Sequence, residues 1–296
     1  GRKATQIMNT TTILNPITTH NAGVPPAPSE AHPRAGGKPD FTAILREALT
    51  SPGTVNQAYR LFWRFSIGNQ MLAAVQLLGR GLKLAPIASF SSWRDKGRFV
   101  RKGEKAICLY MPVTMKRRGK EHGDGEDESF SCFLLRPNWF SLDQTDGTPF
   151  PVEVVAPDWD AARALSALGV EEEGFAMLTG NCMGYARARV IAINPLNPLK
   201  HKTRFHELAH VVLGHTEASA GMIVDGVTLR RDLQEVEAES VAYILCTLLD
   251  LPGQAESRSY IQAWLDGQAL PDKSAKRIFR AADAIMKAGQ STPAAE

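Results

Sequence analysis

The run Phe205-His206-Glu207-Leu208-Ala209-His210-Val211-Val212-Leu213-Gly214-His215 sets two histidines four positions apart inside an apolar stretch. On a helix such positions share one face, so His206 and His210 can offer two imidazoles to one metal ion. Glu207, beside the first histidine, can serve as general base on a water that the metal activates. The donor set suits one divalent cation, zinc first and manganese as the alternative. The bland alternative is an amphipathic helix with surface histidines. The chain has only 7 histidines in 296 residues, so chance seldom produces this spacing in such a run.

Such a centre needs a third protein ligand. His215 follows His210 by five positions, one short of the spacing at which a third histidine completes an extended motif. It is assigned instead to the helix end, after Gly214. The better candidates lie downstream in Asp232-Leu233-Gln234-Glu235-Val236-Glu237-Ala238-Glu239. A second helix there buries Val236, Val241, Ile244 and Leu248 and carries Glu235 and Glu239 one turn apart on one face. Glu237 is a third choice, and a solvated acidic face is the plain alternative.

Those helices must sit within a larger chain. At 44% hydrophobic and 22% charged residues the composition is globular. No run approaches the roughly 18 apolar residues of a membrane span, so no membrane partner is expected. Cys108, Cys132, Cys182 and Cys246 are too far apart for a paired-cysteine metal site. They read as buried free thiols of a cytoplasmic protein. Charge is uneven. Residues 1–150 carry 20 Lys/Arg against 12 Asp/Glu, whereas residues 151–296 carry 14 against 19. A basic half joined to an acidic half suggests two tasks, the first involving a polyanion.

Three segments are expected: a disordered tail over 1–39, a basic domain over 40–150 and a metal domain over 151–290. Asp40 caps a short helix over Ala43–Leu49, and Ser51-Pro52-Gly53 breaks the chain. Apolar spacing then predicts one long helix from Thr54 to Leu78. The next stretch interleaves Phe90, Trp93 and Phe99 with Arg94, Lys96, Arg98, Arg101, Lys102 and Lys105. Cations that track phosphates and rings that stack on unpaired bases are what a single-strand binder needs. A core tryptophan with a solvated charged rim is the competing reading. Strands are predicted over Ala106–Val113 and Phe130–Leu135, with a mixed-charge loop over 116–128. A helix over Asp158–Leu168 and one strand over Gly184–Pro195 lead to the metal helix. Helices near Ser257–Leu265 and Asp272–Lys287 finish the chain.

The pairing of His206-Glu207 and His210 with Glu235 and Glu239 resembles the Glu-zincins. That likeness implies Glu235 as ligand and Glu239 as the acid that braces a ligating histidine, though the two roles can be exchanged. Over about residues 40–285 the chain also resembles plasmid antirestriction proteins of the ArdC type. The resemblance rests on the metal motif with Gly214-His215 and Glu235, on Ser91-Ser92-Trp93, on Val100-Arg101-Lys102-Gly103-Glu104-Lys105 and on Leu142-Asp143-Gln144-Thr145. Gln234 departs from it, standing where a second acid is expected beside Glu235. The resemblance implies an α+β protein with an N-terminal single-stranded-DNA-binding domain and a C-terminal zincin-like metallopeptidase domain. It implies action during conjugation, protecting incoming single-stranded DNA from host restriction, with a protein substrate or host restriction factor as further partner. The reaction would be peptide hydrolysis. Two alternatives are a non-hydrolytic DNA-binding protein with a structural or regulatory metal, and a zinc nuclease.

Overall fold

Asp40 opens the first helix. In the computed structural model, which describes residues 38–116, 129–152, 158–176, 182–217, 223–224, 227–228, 231–268 and 270–291, its carboxylate accepts from the Ala43 amide at 3.0 Å. The tail expected over 1–39 lies almost wholly outside the described residues, as does most of the loop expected over 116–128. Helix α1 spans Phe41–Thr50 and α2 spans Pro52–Phe62. Pro52 therefore starts a helix, because a first-turn residue has no intrahelical use for an N–H. The long helix expected up to Leu78 is two helices, α2 and α3 (Ile67–Gly79). Ser66 caps the second, and the Gln70 side chain donates to the Phe65 carbonyl at 2.8 Å. Apolar periodicity carries across the break because both helices bury their faces in one core.

Five strands and a helix follow: β1 (Ile87–Ser89), α4 (Phe90–Asp95), β2 (Arg98–Val100), β3 (Ile107–Lys116), β4 (Ser129–Ser141) and β5 (Thr145–Gly147). The strand order is β1-β4-β3, with β2 and β5 paired separately. The open edge of β3 is covered by α3. Asn69 exchanges two hydrogen bonds with the Tyr110 backbone, both at 2.9 Å. Gln76 does the same with Cys108, at 2.8 and 2.9 Å. Side-chain amides thus replace a missing neighbour strand.

The rest of the chain builds the helices that carry His206, His210 and Glu235, with their support. Elements α5 (Ala161–Leu168), β6 (Glu171–Glu173), β7 (Gly184–Arg187) and β8 (Val190–Ile193) precede α6 (Lys200–Val212). Helices α7 (Arg231–Leu248), α8 (Gln254–Gly267) and α9 (Asp272–Gly289) follow it. The single strand expected over Gly184–Pro195 is a hairpin that turns at Ala188, where φ is +47°. Neither Gly nor Asn marks the turn; tertiary contacts hold it. Thr216 donates to the Ala188 carbonyl at 2.6 Å, and Arg189 donates to the Gly169 carbonyl at 3.0 Å. Strand β8 lies between β6 and β7, which leaves β7 on the edge.

The fold is α+β. Helix α7 runs through its centre, with Val236 to Leu248 all buried. The boundary expected at residue 150 does not fall at a break in the core, since α1–α3 bury their apolar faces with α7 and α9. Tyr243 donates to the Ala48 carbonyl at 3.1 Å, and the Phe41 amide donates to Asp272 at 2.9 Å. All four cysteines are free; only Cys246 is buried, the others being half-buried rather than buried as expected. Among the described residues no helix is long and apolar enough to cross a membrane.

Candidate metal centre and basic surface

Helix α6 separates its duties by face. Phe205, Leu208, Ala209 and Val211 go into the core, while His206 and His210 share the face toward α7. Their Nε2 atoms stand 3.1 Å apart. Glu235 Oε2 on α7 lies 3.3 Å from the first and 3.5 Å from the second. Ligands around a tetrahedral zinc with bonds of about 2.0–2.1 Å are about 3.3 Å from one another, so the three atoms fit one such ion. Among the described residues, His206, His210 and Glu235 are the groups that could hold a metal ion.

Both imidazoles are braced from behind. His206 Nδ1 meets Glu239 Oε2 at 2.8 Å, and Glu239 Oε1 is paired with Lys202 at 2.6 Å. His210 Nδ1 meets His215 Nδ1 at 3.0 Å, and His215 Nε2 meets Glu237 Oε2 at 3.0 Å. Glu237 therefore points away from the two Nε2 atoms. His215 reaches His210 because Gly214, at φ +76°, reverses the chain. The Gly214 and His215 amides then return to the Val211 and His210 carbonyls at 3.1 and 2.8 Å, a left-handed helix ending. The sequence reading placed His215 at the helix end but missed its contact with His210. That ending, which folds the third residue after the helix back over its last turn, was the available signal.

The electrostatics follow from this crowding. Burial disfavours a charge on His206, but hydrogen bonds to Glu235 and Glu239 outweigh it and lift the pKa to about 9. Contact with His206 and His210 holds the Glu235 carboxyl well below the usual carboxylate range. Burial pushes the Glu207 carboxyl up, with partial relief from the two histidines. Burial pushes His215 down against the pull of Glu237. Glu207 also touches the edge strand: a Cβ on Gly184 would lie 3.2 Å from its Oε1 and 2.6 Å from Thr203 Cγ2. A side chain at Gly184 would clash with Thr203 and crowd that carboxylate.

The basic segment is less available than its composition implies. Trp93 is a core residue, 1% exposed, and so is no stacking platform. Its Nε1 donates to the Phe140 carbonyl at 2.8 Å and its ring meets Phe150 edge-on. The Arg98 guanidinium binds Thr145 Oγ1 at 2.8 Å and the Thr148 carbonyl, tying β2 to β5. Arg101 pairs with Glu104 at 2.8 Å and with Asp146 at 3.4 Å. Arg94, Lys96, Lys102 and Lys105 remain exposed. So do two rings, Phe90 at 48% and Phe99 at 61%.

No protein-family model and no curated protein matches the chain. Solved structures do. A Mn(II)-bound crystal structure of the antirestriction ArdC protein from plasmid R388 matches 84% of this chain and 97% of its own, at 18% identity and a TM-score of 0.50. The metal-free ArdC structure matches 84% and 94%, at 20% identity and a TM-score of 0.47. The chain has an ArdC-like fold. At this identity the ArdC likeness is one of backbone arrangement, and the roles of individual residues rest on the geometry above.

Proposed function

We propose that this protein is an antirestriction factor that binds single-stranded DNA during plasmid conjugation and carries a divalent metal centre of hydrolytic type. The observation that carries the metal reading is the convergence of two imidazole Nε2 atoms and one carboxylate oxygen at 3.1–3.5 Å. His206, His210 and Glu235 are the ligands, and Glu239 braces His206. Zinc fits the donor set, and the Mn(II) found in ArdC makes manganese the alternative. A bound divalent ion supplies a Lewis acid that activates water and polarises a carbonyl. Glu207, whose pKa burial raises, would take up the proton of an attacking water. Among the described residues no strand pairs with the outer side of β7, beside Glu207 at Gly184, which suits it to an extended peptide. The DNA surface comprises Arg94, Lys96, Lys102 and Lys105 with the rings of Phe99 and Phe90. The ArdC-like fold supports the antirestriction role, and the recipient cytoplasm is the expected site of action.

The test is conjugation into restricting and non-restricting recipients with wild type and Glu207→Ala. Protection lost in the restricting host alone, with fold, metal content and DNA affinity preserved, is the expected result. Protection retained by Glu207→Ala would remove hydrolysis from the function and leave a DNA-binding protein with a structural or regulatory metal.

A further inference from the structure

The two imidazoles at the centre are held differently. His206 leans directly on a carboxylate, whereas His210 leans on a second imidazole, and that imidazole leans on a carboxylate. The second chain continues to α9. Arg277 donates to Glu237 Oε2 at 3.3 Å and to the Leu213 carbonyl at 3.0 Å. His215 and Glu237 have side chains 1% and 0% exposed, so the set is shut off from bulk solvent.

We propose that His215 is a positioning residue that fixes the proton of His210, with Glu237 and Arg277 fixing that of His215 in turn. The inference rests on His210 being a metal ligand. A ligand at Nε2 must present a lone pair there, so its hydrogen sits on Nδ1. His210 Nδ1–H can then be accepted only by an unprotonated His215 Nδ1. His215 must therefore carry its hydrogen on Nε2 and donate it to Glu237 Oε2. Reversing any one bond would put a hydrogen on His210 Nε2 and close it to a metal. The Arg277 contacts to Leu213 and Glu237, at 3.0 and 3.3 Å, are shorter than its contact to His215 Nε2 at 3.5 Å, in keeping with a hydrogen on that ring nitrogen. The relay ties the last turn of α6 to α9 and sets the ring angle of the second ligand.

Partners behind a metal-bound histidine are typically worth 10–100-fold in metal affinity. The experiment uses the full chain, zinc alone as probe, and competition against a chromophoric chelator. His215→Ala should weaken zinc binding about 10–100-fold. His215→Gln should recover most of the loss, because its amide oxygen and nitrogen span the two ring-nitrogen positions. Zinc binding by His215→Ala equal to wild type would overturn the proposal. Failure of wild type to bind zinc at all would instead sink the metal centre itself. A second measurement does not depend on the variants folding. Long-range nitrogen–proton correlation spectra of the zinc-loaded wild type should find His215 protonated at Nε2 and His210 at Nδ1. A proton on His215 Nδ1 would overturn the relay.

Discussion

The metal helices and the basic segment use polar side chains in opposite ways. In α6 and α7 the residues that fold and the residues that face the site are different residues. Phe205, Leu208 and Val236 fill the core, while His206, His210 and Glu235 turn to one another. A helical period of 3.6 residues allows this division. Between Phe90 and Lys105 the elements are only three to six residues long, too short to separate faces. Trp93 is spent on holding α4 to β4, and Arg98 and Arg101 on holding the β2 segment to β5. A donor set at helical spacing therefore reports a site, whereas a basic and aromatic composition reports only candidates.

The largest expected effect lies in the metal half. His206→Ala should abolish stoichiometric metal in the full chain, as should Glu235→Ala, while Glu207→Ala should retain it. Elemental analysis after gel filtration decides. Metal retained in Glu235→Ala would move the ligand to another acid, Glu239 or Glu237, and weaken the division drawn above.

The next contrast is within the basic segment. Trp93→Ala should cost about 3–5 kcal/mol of stability, as deletion of a buried aromatic does. Phe99→Ala should leave the melting temperature unchanged and weaken binding of a labelled single strand by about 1–3 kcal/mol. Equal DNA affinity in Phe99→Ala and wild type would exclude that ring from the binding surface.

The smallest effect is a slope against pH. In the metal-free chain His206 keeps its proton up to about pH 9, above its ordinary 6.5. Its pairing with Glu235 and Glu239 thus stabilises the metal-free fold fully below about pH 6.5 and fades as pH rises through 9. Metal needs the neutral ring, so apparent affinity should rise about tenfold per pH unit until that point. Calorimetry near pH 7.5 in buffers of different ionisation enthalpy should find about one proton released per metal. No proton release would break the account of His206.

These differences also explain what could be read in advance. That His206 and His210 share a face followed from helical spacing, which left Glu235 and Glu239 both open as the third ligand, and Asp40 was legible as a cap. The break between α2 and α3 was not, because neither Gly nor Pro marks it. The turn at Ala188 was hidden for a similar reason, since Thr216 and Arg189, distant in sequence, hold it. The His215–Glu237–Arg277 set joins three helix regions, and no local pattern links α9 to α6. Trp93 was read as a DNA contact and is buried instead, because the same residue suits a core and a stacking surface.

The core shared by α1, α2 and α3 with α7 and α9 has a practical consequence for dissecting the protein. A fragment beginning after residue 150 would strip the cover from Tyr243 and Phe279 and leave the Asp272 carboxylate without the Phe41 amide. Such a fragment should aggregate or lose α9, and with α9 the Arg277 contact behind the second imidazole. Deletion mapping would then fail to separate the proposed metal binding from the proposed DNA binding, whichever end was removed. Separating the two activities calls for point substitutions on the intact chain.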